Sequence, residues 1–167
     1  MEWRHRSIGK PVVTFGTRGF TLIELMIVVV IVAVIAAVAL PAYFGSIRKS
    51  RRADAINMIS QVAQAQERVR ANNPTYSNDF GTSALNVHTS TSAVVTSLIE
   101  PHYTISVPAN TATTYSIRAV ALGSQLGDTK CTAMEMRMSG GNMSYVSSTS
   151  AATIAAALSD PNRCWAR

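Results

Sequence analysis

The chain has 167 residues, 47% of them hydrophobic, and carries a formal net charge of +6 at pH 7. Once a long apolar segment is set aside, this length leaves room for one modest domain. The excess basic residues flank the apolar segment, whereas residues 53–167 carry seven Lys or Arg and seven Asp or Glu. This formal neutrality argues against a nucleic-acid-binding domain, because phosphate contacts need Lys and Arg in excess.

The first segment, residues 1–19, is polar and basic, and it is predicted to be a targeting leader. The residues from Phe20 to Leu40 are apolar on every face and number about 20, the length that a transmembrane helix needs. Residues 20–48 are therefore expected to form a helix that lies in lipid or in a helical assembly. The alternative is a secretory signal, since Ala37-Val38-Ala39 is typical of a cleavage site that would release a soluble domain.

Glu24 is the one carboxylate in this apolar segment. A carboxylate at the centre of a membrane helix costs ~2.5–3.5 kcal/mol, and less near a helix end. A cost of this kind suggests that Glu24 has a function. The alternative is a structural role, because Thr21 followed three residues later by Glu24 also fits a capping box at a helix start.

Pro41 follows the apolar segment and predicts a kink or local unwinding, because it lacks the N–H that would bond to the carbonyl of Ala37. Beyond it, apolar residues recur at helical spacing and predict an amphipathic helix of a globular domain over residues 49–71. Asn72-Asn73-Pro74 ends the pattern. Residues 72–101 are predicted to be a long connection with one short helical turn around residues 93–99.

Four segments then alternate between apolar and polar residues, as the strands of an antiparallel meander with one buried face do. They begin near Tyr103, Tyr115, Met134 and Met143, within a region that spans residues 102–167. The amphipathic half of the helix is the available cover for the buried face. The sequence therefore predicts an α+β fold in which a long N-terminal helix packs on a small four-stranded antiparallel sheet.

Cys131 and Cys164 are the two cysteines of the chain. In a domain that is exported behind a membrane segment, two cysteines predict one disulfide, and the alternative is a pair of reduced buried thiols. Such a disulfide would close a C-terminal loop and stabilise the domain by roughly 3–4 kcal/mol.

The sequence offers no candidate for catalysis or metal binding. His88 and His102 lack carboxylate or cysteine neighbours at ligand spacing, and no nucleophile–base pair or glycine-rich phosphate loop is found. The methionines of the third predicted strand are interpreted as core residues. We therefore expect no enzyme activity, cofactor or metal. The basic cluster at residues 48–52 could bind lipid headgroups or DNA, but a solvated turn beside the membrane is favoured.

The segment from Arg18 onward reads Arg-Gly-Phe-Thr-Leu-Ile-Glu-Leu-Met-Ile-Val-Val, and it resembles the class III signal of type IV prepilins. The predicted layout, a long helix, a loop, a small sheet and a C-terminal disulfide loop, is similar to that of type IVa pilins. Within them it is most similar to the PilE-like group, often minor subunits, where an ending such as Cys164-Trp165 is common. The motif is highly specific over residues 18–41, and beyond Ala71 the resemblance is one of layout.

The resemblance implies roles for four residues. Prepilin peptidase would cut between Gly19 and Phe20 and N-methylate the new amine of Phe20. Glu24 would meet the amine of a neighbouring subunit during filament assembly, and a buried pair of this kind loses ~3–5 kcal/mol when one partner is removed. Pro41 falls where the helix of such subunits loosens in the filament.

The resemblance also implies a function and a location. The chain would be a structural subunit of a type IV pilus, supporting pilus biogenesis, twitching motility, adhesion or DNA uptake. It would wait in the inner membrane as a single-pass protein with a periplasmic domain and then join the extracellular pilus. Its partners would be other pilin subunits, prepilin peptidase and the inner-membrane assembly machinery. Two alternatives rank lower: a DNA-uptake receptor, which the neutral domain disfavours, and a type II secretion pseudopilin, which the disulfide loop disfavours.

Overall fold

The computed structural model describes residues 19–81, 84–87 and 97–165, so most of the predicted leader and His88 lie outside the described residues. The described chain divides into two compact units that meet between Leu40 and Pro41. Its helix and strands, in chain order, are α1 (Leu22–Asn72), β1 (Ser97–Ile99), β2 (Tyr103–Asn110), β3 (Thr114–Ala121), β4 (Ala133–Ser139) and β5 (Asn142–Ser148). Two short 3-10 turns, Gly123–Gly127 and Ile154–Ala156, follow β3 and β5.

The described part of the N-terminal unit is residues 19–40, most of which form the first part of α1. Its large apolar side chains are exposed, as Phe20, Leu25 and Ile35 illustrate. An 18-residue window of α1 has a mean hydropathy of 3.1, so this helix is long and apolar enough to cross a membrane. Apolar side chains in such numbers need either lipid or other chains around them.

α1 continues as an α-helix through Pro41. The sequence predicts a kink or local unwinding at this residue, and local unwinding is not observed. A proline removes one intrahelical hydrogen bond, and the residues on both sides of Pro41 continue the helix. The chain boundary between the two compact units falls just before this residue.

The second unit has a single main core between α1 and one face of the sheet. Ile59 and Val62 of α1 are fully buried, as are Ile105, Ile117 and Met134 of the strands. The spacing of the buried positions along α1 follows the helical period that the sequence predicts. The α+β architecture, with a long helix packed on an antiparallel sheet, is therefore confirmed.

The sheet has the strand order β1-β2-β3-β4-β5, and every neighbouring pair is antiparallel. The alternation predicted for the strand after Tyr115 is observed, since Tyr115, Ile117 and Ala119 are buried. The β4–β5 hairpin turns through Gly140 and Gly141, with φ values of 54° and 87°. Positive φ at both central residues is what a tight two-residue hairpin requires, and glycine adopts it without strain.

The sheet has five strands, so the predicted number of four is wrong. The added strand is β1, where Ser97 pairs with Ser106 and Leu98 with Ile105. The helical turn predicted around residues 93–99 is therefore wrong for Ser97–Ile99, and residues 93–96 lie outside the described residues. Three residues are too few to display a period, and pairing with β2 decides their conformation.

Candidate functional site

The start of α1 presents Gly19, Phe20 and Glu24 at the surface. Phe20 is 81% exposed, and nothing lies within 4 Å of the position that a Cβ on Gly19 would take. The Glu24 N–H donates to Thr21 Oγ1 at 3.2 Å, which is one of the two hydrogen bonds of a capping box. Within the described residues the Glu24 carboxylate is exposed and accepts no hydrogen bond. It is therefore available to a cation from another molecule.

The basic cluster at residues 48–52 is largely committed to the domain. Arg52 Nε lies 2.9 Å from Asp128 Oδ2, and its Nη1 donates to Cys131 Sγ at 3.0 Å. Arg51 Nη1 donates to Ser124 Oγ at 2.9 Å. Arg51 thus contacts the Gly123–Gly127 turn and Arg52 contacts residues just after it, so the interpretation of a solvated turn does not apply to these two arginines. Lys49 is exposed and forms no ion pair within the described part of the chain.

Gln125 is a buried polar residue that the sequence analysis did not identify. It is fully buried, and its Nε2 donates to Tyr103 Oη at 3.0 Å and to the Arg48 carbonyl at 3.2 Å. Burial raises the pKa of Tyr103 to about 12, so the hydroxyl stays protonated at neutral pH. A lone glutamine between two glycines carries no sequence signal of burial.

The predicted disulfide between Cys131 and Cys164 is present, with an S–S distance of 2.08 Å. Both cysteines are buried, whereas their neighbours Lys130 and Arg163 are exposed. Asn162 Nδ2 donates to the Lys130 carbonyl at 3.0 Å, and this bond joins Lys130 to the residue just before Arg163. We call Lys130 and Arg163 the disulfide rim. Neither of them forms an ion pair within the described residues.

The residues after the last 3-10 turn are held against the sheet edge. The Asp160 carboxylate accepts from the N–H groups of Cys164 at 2.8 Å and Trp165 at 3.0 Å. Trp165 Nε1 donates to the Val146 carbonyl at 2.9 Å, and its ring lies 4.9 Å from that of Tyr145. The disulfide rim therefore sits on a well-fastened segment.

A buried carboxylate bridges two arginines on the other face of the sheet. Glu135 has a side chain that is 3% exposed, and it accepts from Arg118 Nε and from Arg137 Nε, each at 2.6 Å. Arg137 also donates to the carbonyls of Ala157 at 2.8 Å and Ile154 at 2.7 Å. Cross-strand pairing of Arg118 with Glu135 explains this placement. The cluster serves to hold the Ile154–Ala156 turn on the sheet.

Replacing Glu135 with alanine is expected to lower the free energy of unfolding by about 3 kcal/mol, because two guanidinium groups lose their shared partner. The value lies at the lower end of the range for buried pairs, since both arginines remain partly exposed. Urea unfolding of the full chain in detergent measures the change. Glu100→Ala, which removes a partly exposed carboxylate, should change stability by under about 0.5 kcal/mol. Equal losses for the two variants would contradict the bridging role.

Residues 19–81, 84–87 and 97–165 contain no group of three His, Cys, Asp or Glu side chains that could hold a metal ion. His102 belongs to no such group among these residues, and its carbonyl accepts from the Leu122 N–H at 2.9 Å. The methionines of β4 lie in the core, since Met134, Met136 and Met138 are buried.

Comparison with known families gives two matches. Residues 15–40 match the prokaryotic N-terminal methylation motif, which covers Gly19, Phe20 and Glu24. Residues 41–135 match the family described as type IV minor pilin ComP, DNA uptake sequence receptor. No curated protein matches the chain significantly. Because the second match covers more than half of the chain and the first covers the prepilin motif, the chain belongs to the family of type IV minor pilins described as ComP.

Proposed function

We propose that this minor pilin takes part in DNA uptake by binding DNA through the disulfide rim. The observation that carries the proposal is the match of residues 41–135 to a family described as a DNA uptake sequence receptor. Lys130 lies inside the matched region, and Arg163 lies beyond it. The structure adds a surface with suitable charge.

The neutral sum over residues 53–167 conceals an uneven distribution of charge. Several acids are engaged within the domain: Glu135 lies between two arginines, Asp128 lies against Arg52, and Asp160 accepts backbone N–H groups. The cations of the rim have no such partner among the described residues. The rim thus presents positive charge to solvent, and the argument from neutrality loses its force against DNA binding.

The rim is also pre-organised. Arg163 has a φ of 52°, a left-handed conformation that costs roughly 1–2 kcal/mol for a residue with a side chain. The Arg163 N–H donates to the Asp160 carbonyl at 3.2 Å, and Asn162 bonds to the Lys130 carbonyl. These bonds maintain the strained backbone of Arg163, which is an exposed cation. Backbone strain that is maintained at an exposed charged residue supports a binding role for that residue. A backbone held in this way loses less entropy when phosphate groups bind.

The N-terminal segment supports a path from membrane to filament. Cleavage between Gly19 and Phe20 and methylation of Phe20 would precede assembly, and Glu24 would then meet the new amine of a neighbouring subunit. Before assembly, the apolar part of α1 would anchor the chain in the inner membrane with residues 49–167 on the periplasmic side. Pro41 would permit the helix to loosen in the filament. Prepilin peptidase and the assembly machinery are the partners in these steps.

DNA binding by the rim is tested with the double variant Lys130→Gln, Arg163→Gln. Fluorescence anisotropy of a labelled duplex is measured with the full chain in detergent at several salt concentrations. The slope of log affinity against log salt should become less negative by about 1.8, because each lost phosphate contact contributes roughly 0.9. The affinity should fall for every sequence, since phosphate contacts carry no base specificity.

The matched control is Lys49→Gln, which removes an exposed cation outside the rim. This variant should retain the wild-type slope. An unchanged slope in the double variant, or an equal change in the control, would contradict the assignment of the rim.

A further inference from the structure

A basic notch on the surface of α1 is used by none of the roles above. It extends from α1 to Cys164 of the C-terminal segment and has a volume of about 510 Å³. Its lining consists of Ser46, Lys49, Ser50, Arg52, Ala53, Ile56, Asn57 and Cys164. Several of these positions are spaced three or four residues apart, so they form one stripe along the helix. No carboxylate lines the notch.

The chemistry of the notch suits a phosphate group. Lys49 supplies an ammonium group without an ion pair within the described residues, and Ser46, Ser50 and Asn57 supply hydroxyl and amide donors. Arg52 adds a guanidinium group that already lies against Asp128. A cation with several neutral donors and no carboxylate is a setting that binds a phosphodiester and disfavours a cationic or apolar ligand.

The position of the notch along the helix identifies the source of that phosphate. Tyr43 and Phe44 are 62% and 52% exposed, and their rings lie 6.1 Å apart at the end of the apolar segment. Aromatic residues of this kind mark the interface between bilayer and water. At 1.5 Å per residue, Ser46 lies about 4.5 Å and Lys49 about 9 Å beyond Tyr43 along the helix. The headgroup layer is roughly 5–8 Å thick on each side, so the mouth of the notch reaches it.

We propose that this notch binds the headgroup of one anionic phospholipid while the subunit waits in the membrane. The inference rests on the membrane-anchored state in the proposed function, but not on DNA binding. A bilayer places its phosphate groups at the depth of Ser46 to Lys49, whereas a DNA duplex has no such constraint. The bound lipid would fix the rotation of α1 at the membrane surface before the subunit is extracted.

The test is native mass spectrometry of the full chain in detergent micelles titrated with dihexanoyl phosphatidylglycerol or dihexanoyl phosphatidylcholine. One phosphatidylglycerol should bind at concentrations at which phosphatidylcholine does not. Lys49→Gln should weaken this binding about five-fold, the effect of one lysine near an anionic membrane surface. Ala53→Glu, which places a carboxylate in the notch, should abolish it.

The matched control is Lys130→Gln, which removes the same charge from the disulfide rim and should leave phosphatidylglycerol binding unchanged. Equal binding of the two lipids, or an equal loss in the control, would overturn the proposal. Displacement of phosphatidylglycerol by duplex DNA, together with weaker DNA binding by Lys49→Gln, would overturn it too and assign the notch to DNA. If the proposal of DNA binding is wrong, the salt slope of the Lys130→Gln, Arg163→Gln variant stays unchanged. That result leaves the lipid proposal unaffected.

Discussion

Replacing Glu24 with alanine is expected to abolish incorporation of the subunit into the pilus, while the domain stays folded and the chain stays in the membrane. The carboxylate is exposed and accepts no hydrogen bond among the described residues, so its removal breaks nothing within the subunit. In a filament, the cationic amine of a neighbouring Phe20 would be left buried without a partner, at a cost of ~3–5 kcal/mol. Immunoblotting of sheared pili and of membranes measures both pools.

Thr21→Ala separates assembly from helix capping. It removes the hydroxyl that accepts from the Glu24 N–H, at a cost of about 1 kcal/mol to the helix start, and leaves the carboxylate in place. This variant should still enter pili. Normal incorporation of Glu24→Ala, or a loss of the same size in Thr21→Ala, would refute the assembly role. N-terminal sequencing of the processed protein adds a check, since a start at Leu40 would indicate a secretory signal instead.

Removing the disulfide with the double variant Cys131→Ser, Cys164→Ser is expected to lower the free energy of unfolding by roughly 3–4 kcal/mol. The bond joins residues 33 positions apart in sequence, so its loss frees a long loop in the unfolded chain. Both sulfurs are buried, and Arg52 Nη1 donates to Cys131 Sγ, so the native site also loses a contact. Urea unfolding of the full chain in detergent measures the loss.

Reductant provides the control for this variant. Dithiothreitol should lower the stability of the wild-type chain toward that of the double variant and should leave the double variant unchanged. The variant should also bind DNA more weakly, because the segments that carry Lys130 and Arg163 would no longer be covalently joined. A loss of stability under about 1 kcal/mol would mean that the hydrogen bonds of Asp160 and Trp165 hold the loop by themselves.

The sequence predicts the parts of this fold whose residues repeat with a clear period. The alternation after Tyr115 and the helical spacing around Ile59 both reflect burial on one face, and burial is what a hydrophobic pattern records. The strand Ser97–Ile99 has no such signal, because a neighbouring strand determines its conformation. The same holds for Gln125, which is buried by a turn that folds back on α1.

The candidate sites show a similar division. The motif around Glu24 could be identified by eye, since its residue types and spacing carry the information. The disulfide rim could not, because a sum of charges gives each residue equal weight regardless of its partner. Glu135 and Lys130 contribute one charge each to that sum, yet one is enclosed by two arginines and the other faces solvent. Only the folded chain distinguishes engaged charges from available ones.

The strand order of the sheet, which follows the order of the chain, has a consequence for how the domain acquires its structure. Each strand pairs with the one just before it, so pairing needs only short loops to close. Short connections between paired strands favour rapid formation of each hairpin. Each hairpin can form before the strands that follow it are in place. Cys164 follows all five strands, so the disulfide can form only after the whole sheet has been synthesised.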